Sequence, residues 1–207
     1  MCPAGTEGDG HLRLIPGILL AAGAASRFGR PKLLERWQGV TLVRRAASTL
    51  WDAGIRPLIA VVPAGAEFPD QLMGLTSALV VNANPEQGIG QSIALGMGAI
   101  QEDAPAVMIA VADQPLLSTE AIRSLLTAFQ PGAIVTPRYG GHPGNPRIFD
   151  RRFFSELASL EGDRGGQLVA QAHAEVVVEI ELPEPLGIDV DQPSDWARLT
   201  EASGSGD

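Results

Sequence analysis

The sequence predicts an α/β fold in which a mostly parallel sheet lies between two helical layers, an α/β/α sandwich. Two observations carry this expectation. Short runs of consecutive apolar residues recur along the chain, and segments with helical spacing lie between them. Strands that are apolar on both faces must be covered on both faces, and parallel strands need crossovers long enough to hold a helix. In addition, no internal repeat or linker divides the chain. Residues 14–202 therefore read as one domain, with a disordered N-terminal extension at 1–13 and a flexible tail at 203–207.

The elements follow in order. Gly17–Ala22 is the first apolar run and the first strand, and Thr41–Ala53 is the first helix. Pro57–Val62 and Ala78–Asn82 are strands, with a short helix at Asp70–Leu75 between them. Gln91–Gln101 is helical and Val107–Ala112 is a strand. Thr119–Phe129 is a helix opened by Ser118, whose hydroxyl can cap it, with Glu120 early at the positive end of the dipole. Ala133–Thr136 is a strand, followed by helices at Arg151–Leu160 and Gly165–Ala172. Glu175–Ile180 and Ile188–Val190 read as strands, and Ser194–Ala202 closes the chain as a helix.

Bulk properties exclude several classes. The 207 residues suffice for a substantial core, and the 45% hydrophobic content is that of a folded chain. A net charge of −9 opposes binding to nucleic acid or an anionic membrane. No apolar run approaches the roughly 20 residues of a membrane span. The stretch after Arg13 has some look of a signal peptide, but Glu7, Asp9, Pro16 and Gly17 disrupt it, and cleavage would remove the first strand. One cysteine, Cys2, allows no internal disulfide, which fits a reducing cytoplasm.

In a parallel sheet, ligands bind beyond the carboxyl ends of the strands. The loops after Ala22, Asn82, Ala112 and Thr136 should therefore face one cleft. The first contains Gly23, Ser26, Arg27, Gly29, Arg30 and Lys32. Small residues let backbone N–H groups approach a ligand, and Arg27 and Lys32 add cations suited to a triphosphate. It has neither Walker A nor GxGxxG spacing, and a connecting loop with solvated cations is the competing reading. Asp113 ends a buried strand, where a carboxylate can hold Mg²⁺; a solvated turn or a helix cap is the alternative. Asp189 and Asp191 alternate about Val190, so in a strand both point to one face. Asp195 falls in the first turn of the closing helix. Asn84–Ile93 opens a helix, where Ser92 and the amides near Gly88 and Gly90 can meet an anion or a base. Tyr139–Phe149 is a turn-rich loop that could close over a second substrate, as could Glu161–Gly165. His11, His142 and His173 lack metal-ligand spacing, and Trp37, Trp51 and Trp196 read as packing residues.

Six segments together resemble the molybdenum cofactor nucleotidyltransferases of the MobA-like family. They are LAAGAASRFGRPK (20–32), NPEQGIGQS (84–92), ADQP (112–115), GGHPGNPRIF (140–149), EGDRGG (161–166) and DVDQPSDW (189–196), and the resemblance spans roughly residues 17–200. Ala22, in LAAG rather than LAGG, is similar to the cytidylyl branch. The departures are Ala25 for Ser, Phe28 for Met, and Gln167 where the family's GDxGAR carries Arg.

The resemblance implies a Rossmann-like α/β/α nucleotidyltransferase domain that joins CMP from CTP to the phosphate of molybdenum-bearing molybdopterin and releases pyrophosphate with Mg²⁺. It implies catalytic roles for Arg27, Lys32 and Asp113. Nucleotide binding would fall to Leu20, Ala21, Ala22, Gly23, Ser26, Arg27, Lys32, Asn84 and Ser92. Acceptor binding would fall to Gly144, Asn145, Pro146 and Asp163, and metal binding to Asp113 with Asp189 and Asp191. An apo-molybdoenzyme would receive the product. The alternatives are GTP as donor, another phosphorylated acceptor such as a sugar phosphate, or a nucleotide-binding protein without turnover.

Overall fold

The computed structural model describes residues 14–23 and 31–204. Its elements are β1 (Gly17–Leu20), β2 (Arg36–Trp37), β3 (Val40–Thr41), α1 (Leu42–Asp52), β4 (Leu58–Pro63), β5 (Ala78–Asn82), α2 (Ile89–Met97), β6 (Ala106–Val111), α3 (Thr119–Ala128), β7 (Ile134–Tyr139), β8 (His142–Pro143), β9 (Arg147–Asp150), α4 (Phe154–Ala158), α5 (Gly166–Ala172), β10 (Val177–Leu182) and α6 (Asp195–Gly204). The main sheet runs β10-β7-β9-β6-β1-β4-β5, with β8 on β7, and β2 and β3 form a separate hairpin. The β1–β4, β1–β6, β4–β5 and β7–β10 pairs are parallel, and β9 runs antiparallel between β6 and β7. This is the mostly parallel α/β/α architecture that the apolar runs predict.

β1 shows why the strands carry no polar alternation. Ile18 and Leu20 point into one layer, with Ile93 and Met97 of α2, Leu157 of α4 and Val169 of α5. Leu19 points into the other, with Leu42 and Leu50 of α1, Ile122 and Leu125 of α3 and Leu199 of α6. Each such aliphatic side chain contributes about 1.5–3 kcal/mol on full burial. Ser118 caps α3 by accepting from the Ala121 N–H at 3.1 Å. Trp37 of β2 stacks on Trp196 of α6 with ring centroids 5.9 Å apart, and Arg56 covers Trp51 at 4.0 Å. Both contacts are packing contacts, and the first pins α6 to the hairpin. Among the described residues, no helix is long and apolar enough to cross a membrane.

Three expectations need correction. Ile188–Val190 is not a strand. Pro183, Pro185 and Gly187 precede it and Pro193 follows, which deprives the segment of a continuous ladder. It is tied to the sheet end by Val190 N–H donating to the Asp113 carbonyl at 3.0 Å. Residues 147–149, read as the end of the Tyr139–Phe149 loop, lie in the strand β9. Its charged ends, Arg147 and Asp150, mask a strand whose four residues are all buried. Arg151–Leu160 is not one helix but a 3-10 turn, Arg151–Phe153, followed by the short α4. Asp150 accepts from the N–H groups of both Arg152 and Gly132, at 2.9 and 2.8 Å, and fixes that start.

Candidate active site

The carboxyl ends of β1 and β6 lie side by side, so the chain leaving each enters the same region. After β6, Asp113 projects from the turn. After β1, the chain returns through Lys32, which begins a 3-10 turn at Lys32–Leu34. The Lys32 ammonium donates to Asp113 Oδ2 at 2.9 Å and to Asp191 Oδ1 at 3.2 Å. Its side chain is 14% exposed. Burial works against the ammonium, but the attraction of Asp113 and Asp191 outweighs it and the pKa is raised.

Asp195 sets the position of Asp191. Its carboxylate accepts from the Asp191 and Gln192 N–H groups at 2.8 and 2.9 Å and is buried at the start of α6. Burial opposes its ionisation, yet these hydrogen bonds hold its pKa below the ordinary value. The segment 189–192 is thus held at one point by the Asp113 carbonyl and at another by α6.

Asp189 behaves differently. Removal from bulk water, then the like charges of Asp113 and Asp191, push its carboxyl up to about 7. The side chain is open to a cavity, but protein surrounds it on the longer range over which desolvation acts. A carboxyl raised in the folded state destabilises that state when charged. The penalty is full above about pH 7 and absent below the ordinary carboxylate range. Asp189→Asn should therefore raise the melting temperature at pH 8 by about 2–4 °C in metal-free buffer, after allowing for solvent screening, and leave it unchanged near pH 4. Equal melting curves for variant and wild type at pH 8 would contradict this.

Two cavities meet at Asp191. One, of about 350 Å³, is bounded by Leu20, Ala22, Gly23, Lys32, Ser92 and Asp113 among others. The second, of about 960 Å³, is lined by Gln114, Tyr139, Gly144, Asn145, Arg147 and Asp189 among others. Both include Asp191.

Most of the described site residues predicted from sequence fall on these walls. Ala21 does not: its side chain packs into the core on the α1 side and its N–H donates to Val61. Asn84 is exposed beyond the cavity lining, and Pro146 is likewise not on either wall. Asp163 borders the smaller cavity and a niche of about 150 Å³ shared with Asn145. Ser26 and Arg27 lie outside the described residues.

Sequence reasoning missed Asn82 and Arg147. Asn82 is fully buried at the end of β5, where its amide donates to Ser92 Oγ at 3.0 Å and accepts from the Asn84 N–H at 2.9 Å. An Asn closing an apolar strand beside a ligand loop was the available signal. Arg147 is a buried cation at the large cavity.

Among the described residues there is no group of three or more His, Cys, Asp or Glu side chains placed to hold a metal. Asp113 and Asp191 nevertheless converge on one cation, the Lys32 ammonium. Two carboxylates with substrate phosphates suffice for Mg²⁺, a hard ion that takes oxygen ligands and keeps water. The donor set fits that ion.

A mostly parallel α/β/α sheet with carboxylates and a lysine at the carboxyl ends of its strands defines an α/β protein with a ligand site at that edge. The chain belongs to the family of MobA-like NTP transferase domains, whose sequence profile matches residues 17–176. It is similar to nicotine blue oxidoreductase of Paenarthrobacter nicotinovorans, at 32% identity over 93% of this chain and 99% of that protein. It is also similar to molybdenum cofactor cytidylyltransferase of Escherichia coli K12, at 23% identity over 89% of this chain and 94% of that one. Among solved structures, it matches Rv0371c from Mycobacterium tuberculosis H37Rv with a TM-score of 0.78 and 26% identity over 91% of this chain and 98% of that one. The manganese complex of Rv0371c matches with a TM-score of 0.74 and 25% identity, over 91% and 99%.

Proposed function

We propose that the protein transfers CMP from CTP to the phosphate of molybdenum-bearing molybdopterin and releases pyrophosphate. The observation that carries this reading is the convergence of Asp113 and Asp191 on Lys32 at the junction of two cavities. The smaller cavity would take the nucleotide and the larger one the acceptor. Their shared wall is where the acceptor phosphate would meet the α-phosphate. Ala22, buried on the nucleotide cavity wall, supports the cytidine assignment through the resemblance to the cytidylyl branch. Similarity to the Escherichia coli cytidylyltransferase supports the acceptor.

An acceptor phosphate oxygen is already anionic near neutral pH, so no general base is needed. The work is alignment and charge compensation. Mg²⁺, held by Asp113 and Asp191, would supply neutralisation of the triphosphate oxygens. Lys32 would then turn from these carboxylates to the leaving pyrophosphate, and Arg27 would add a second cation. Lys32→Ala should raise the CTP concentration needed for half-maximal rate about 10-fold or more. An unchanged CTP dependence would count against this role. The enzyme would act in the cytoplasm and hand its product to an apo-molybdoenzyme.

The 32% identity with nicotine blue oxidoreductase favours a second reading, a redox reaction on an acceptor in the large cavity that needs an electron donor and releases no pyrophosphate. Mass spectrometry of a reaction with CTP, Mg²⁺ and molybdenum-loaded molybdopterin separates the two. The first reading expects a cytidylyl-pterin dinucleotide. Intact CTP, with reduction of added nicotine blue that depends on an added electron donor, would favour the second.

A further inference from the structure

Arg147 opens β9 and is 5% exposed. Its Nη1 donates to Asn145 Oδ1 at 2.9 Å, while its Nε is buried without a partner. Among the described residues, no carboxylate lies within ion-pairing distance of it. A guanidinium carries five donors in a fixed fork and stays charged in proteins, so this is a buried charge with no counter-ion among the described residues. Burial also pushes its pKa down, as expected for a cation short of an anion.

Its surroundings show where an anion would sit. Arg147 and Gln167 together border the cavity of about 960 Å³, a second of about 500 Å³ and the niche of about 150 Å³. Thr136 also borders the second cavity, and its Oγ1 is likewise buried without a partner. Glu179, on the same wall, is engaged by Arg138 at 2.9 Å. Elsewhere the large cavity carries the carboxylates of Glu184, Asp189 and Asp191. Arg198 also borders this cavity, but it is mostly exposed and lies 3.8 Å from Asp195. An anionic group entering the cavity is repelled from the carboxylates, and Arg147 is the buried cation on its wall.

We propose that Arg147 anchors an oxoanion of the second substrate, a phosphate or carboxylate group, with Gln167 and Asn145 beside it. The guanidinium fork suits two parallel hydrogen bonds to such a group, which a lysine cannot reproduce. This deepens the reading of the large cavity as an acceptor site and rests on it.

The test is isothermal titration of the full chain with inorganic phosphate and, separately, with acetate at constant ionic strength. It is run in a Lys32→Ala background so that the nucleotide cavity contributes no lysine. Phosphate or acetate should bind, and Arg147→Gln should weaken that binding about 10- to 100-fold. Arg147→Lys should recover part of the loss, and Gln167→Arg should tighten binding. Preference for phosphate assigns a phosphorylated acceptor, and preference for acetate assigns a carboxylate. Equal anion affinity with and without Arg147, or no binding of either anion at about 10 mM, would overturn the proposal. If Arg147→Gln does not fold, unchanged affinity in both Arg147→Lys and Gln167→Arg overturns it instead. Binding of CTP with Mg²⁺ by the wild-type chain separates the two readings. Arg147-dependent anion binding without CTP binding would leave the anchor standing and remove the nucleotidyl-transfer assignment.

Discussion

Asp113→Ala should lower turnover about 10²–10³-fold while the chain keeps its fold. The side chain is partly exposed at a strand end and carries no core packing. The backbone carbonyl of residue 113, which fastens the 189–191 segment through Val190, survives the substitution. The functional loss is large because two effects coincide. One of the two carboxylates that converge on the cation position disappears, and Lys32 is left paired only to the exposed Asp191. Steady-state rates together with a thermal melt check this. Near-normal turnover in a folded variant would remove Asp113 from the metal site.

Gly88→Ala should destabilise the protein by about 2–4 kcal/mol, read as a lower urea midpoint with an unchanged slope. Gly88 has φ +98°, a conformation unfavourable for any residue with a Cβ. An added Cβ would also fall on the Gly162 carbonyl group and lie 2.7 Å from the Asp163 nitrogen. Two positions on, a Cβ at Gly90 would lie 2.8 Å from the Arg164 carbonyl oxygen, and the Gly90 N–H donates to the Gly162 carbonyl at 2.8 Å. The start of α2 and the 161–165 loop are therefore clamped backbone to backbone. Neither glycine can gain a side chain without displacing the backbone of residues 161–164, which carries Asp163. A variant with a wild-type urea midpoint would show that the 161–165 loop yields to the added Cβ without cost.

Much of this architecture is legible in the sequence because its physics is local. Ile18–Ala22 and Val107–Ala112 are apolar without alternation, and only strands covered on both faces tolerate that. The order of the loop motifs identifies the family for the same reason: each motif is a short contiguous run. What escapes is long-range or depends on burial. Lys32 meets Asp113 across 81 positions and Asp191 across 159, which no spacing rule reveals. Asp189 and Asp191 are readable as a pair, but their segment is held by Asp195 and the Asp113 carbonyl rather than by a ladder. Arg147 sits in a Gly- and Pro-rich stretch that reads as a turn. Only the insertion of β9 between β6 and β7 turns its charge into a buried one.

On the proposed function, nucleotidyl transfer takes place where Lys32, Asp113 and Asp191 meet. The decisive experiment is pyrophosphate release, measured with CTP or GTP and Mg²⁺, with and without molybdenum-loaded molybdopterin. The expected result is release from CTP that requires the pterin and is lost in Asp113→Ala. Release from neither nucleotide, with the pterin present and the protein folded, would contradict the claim.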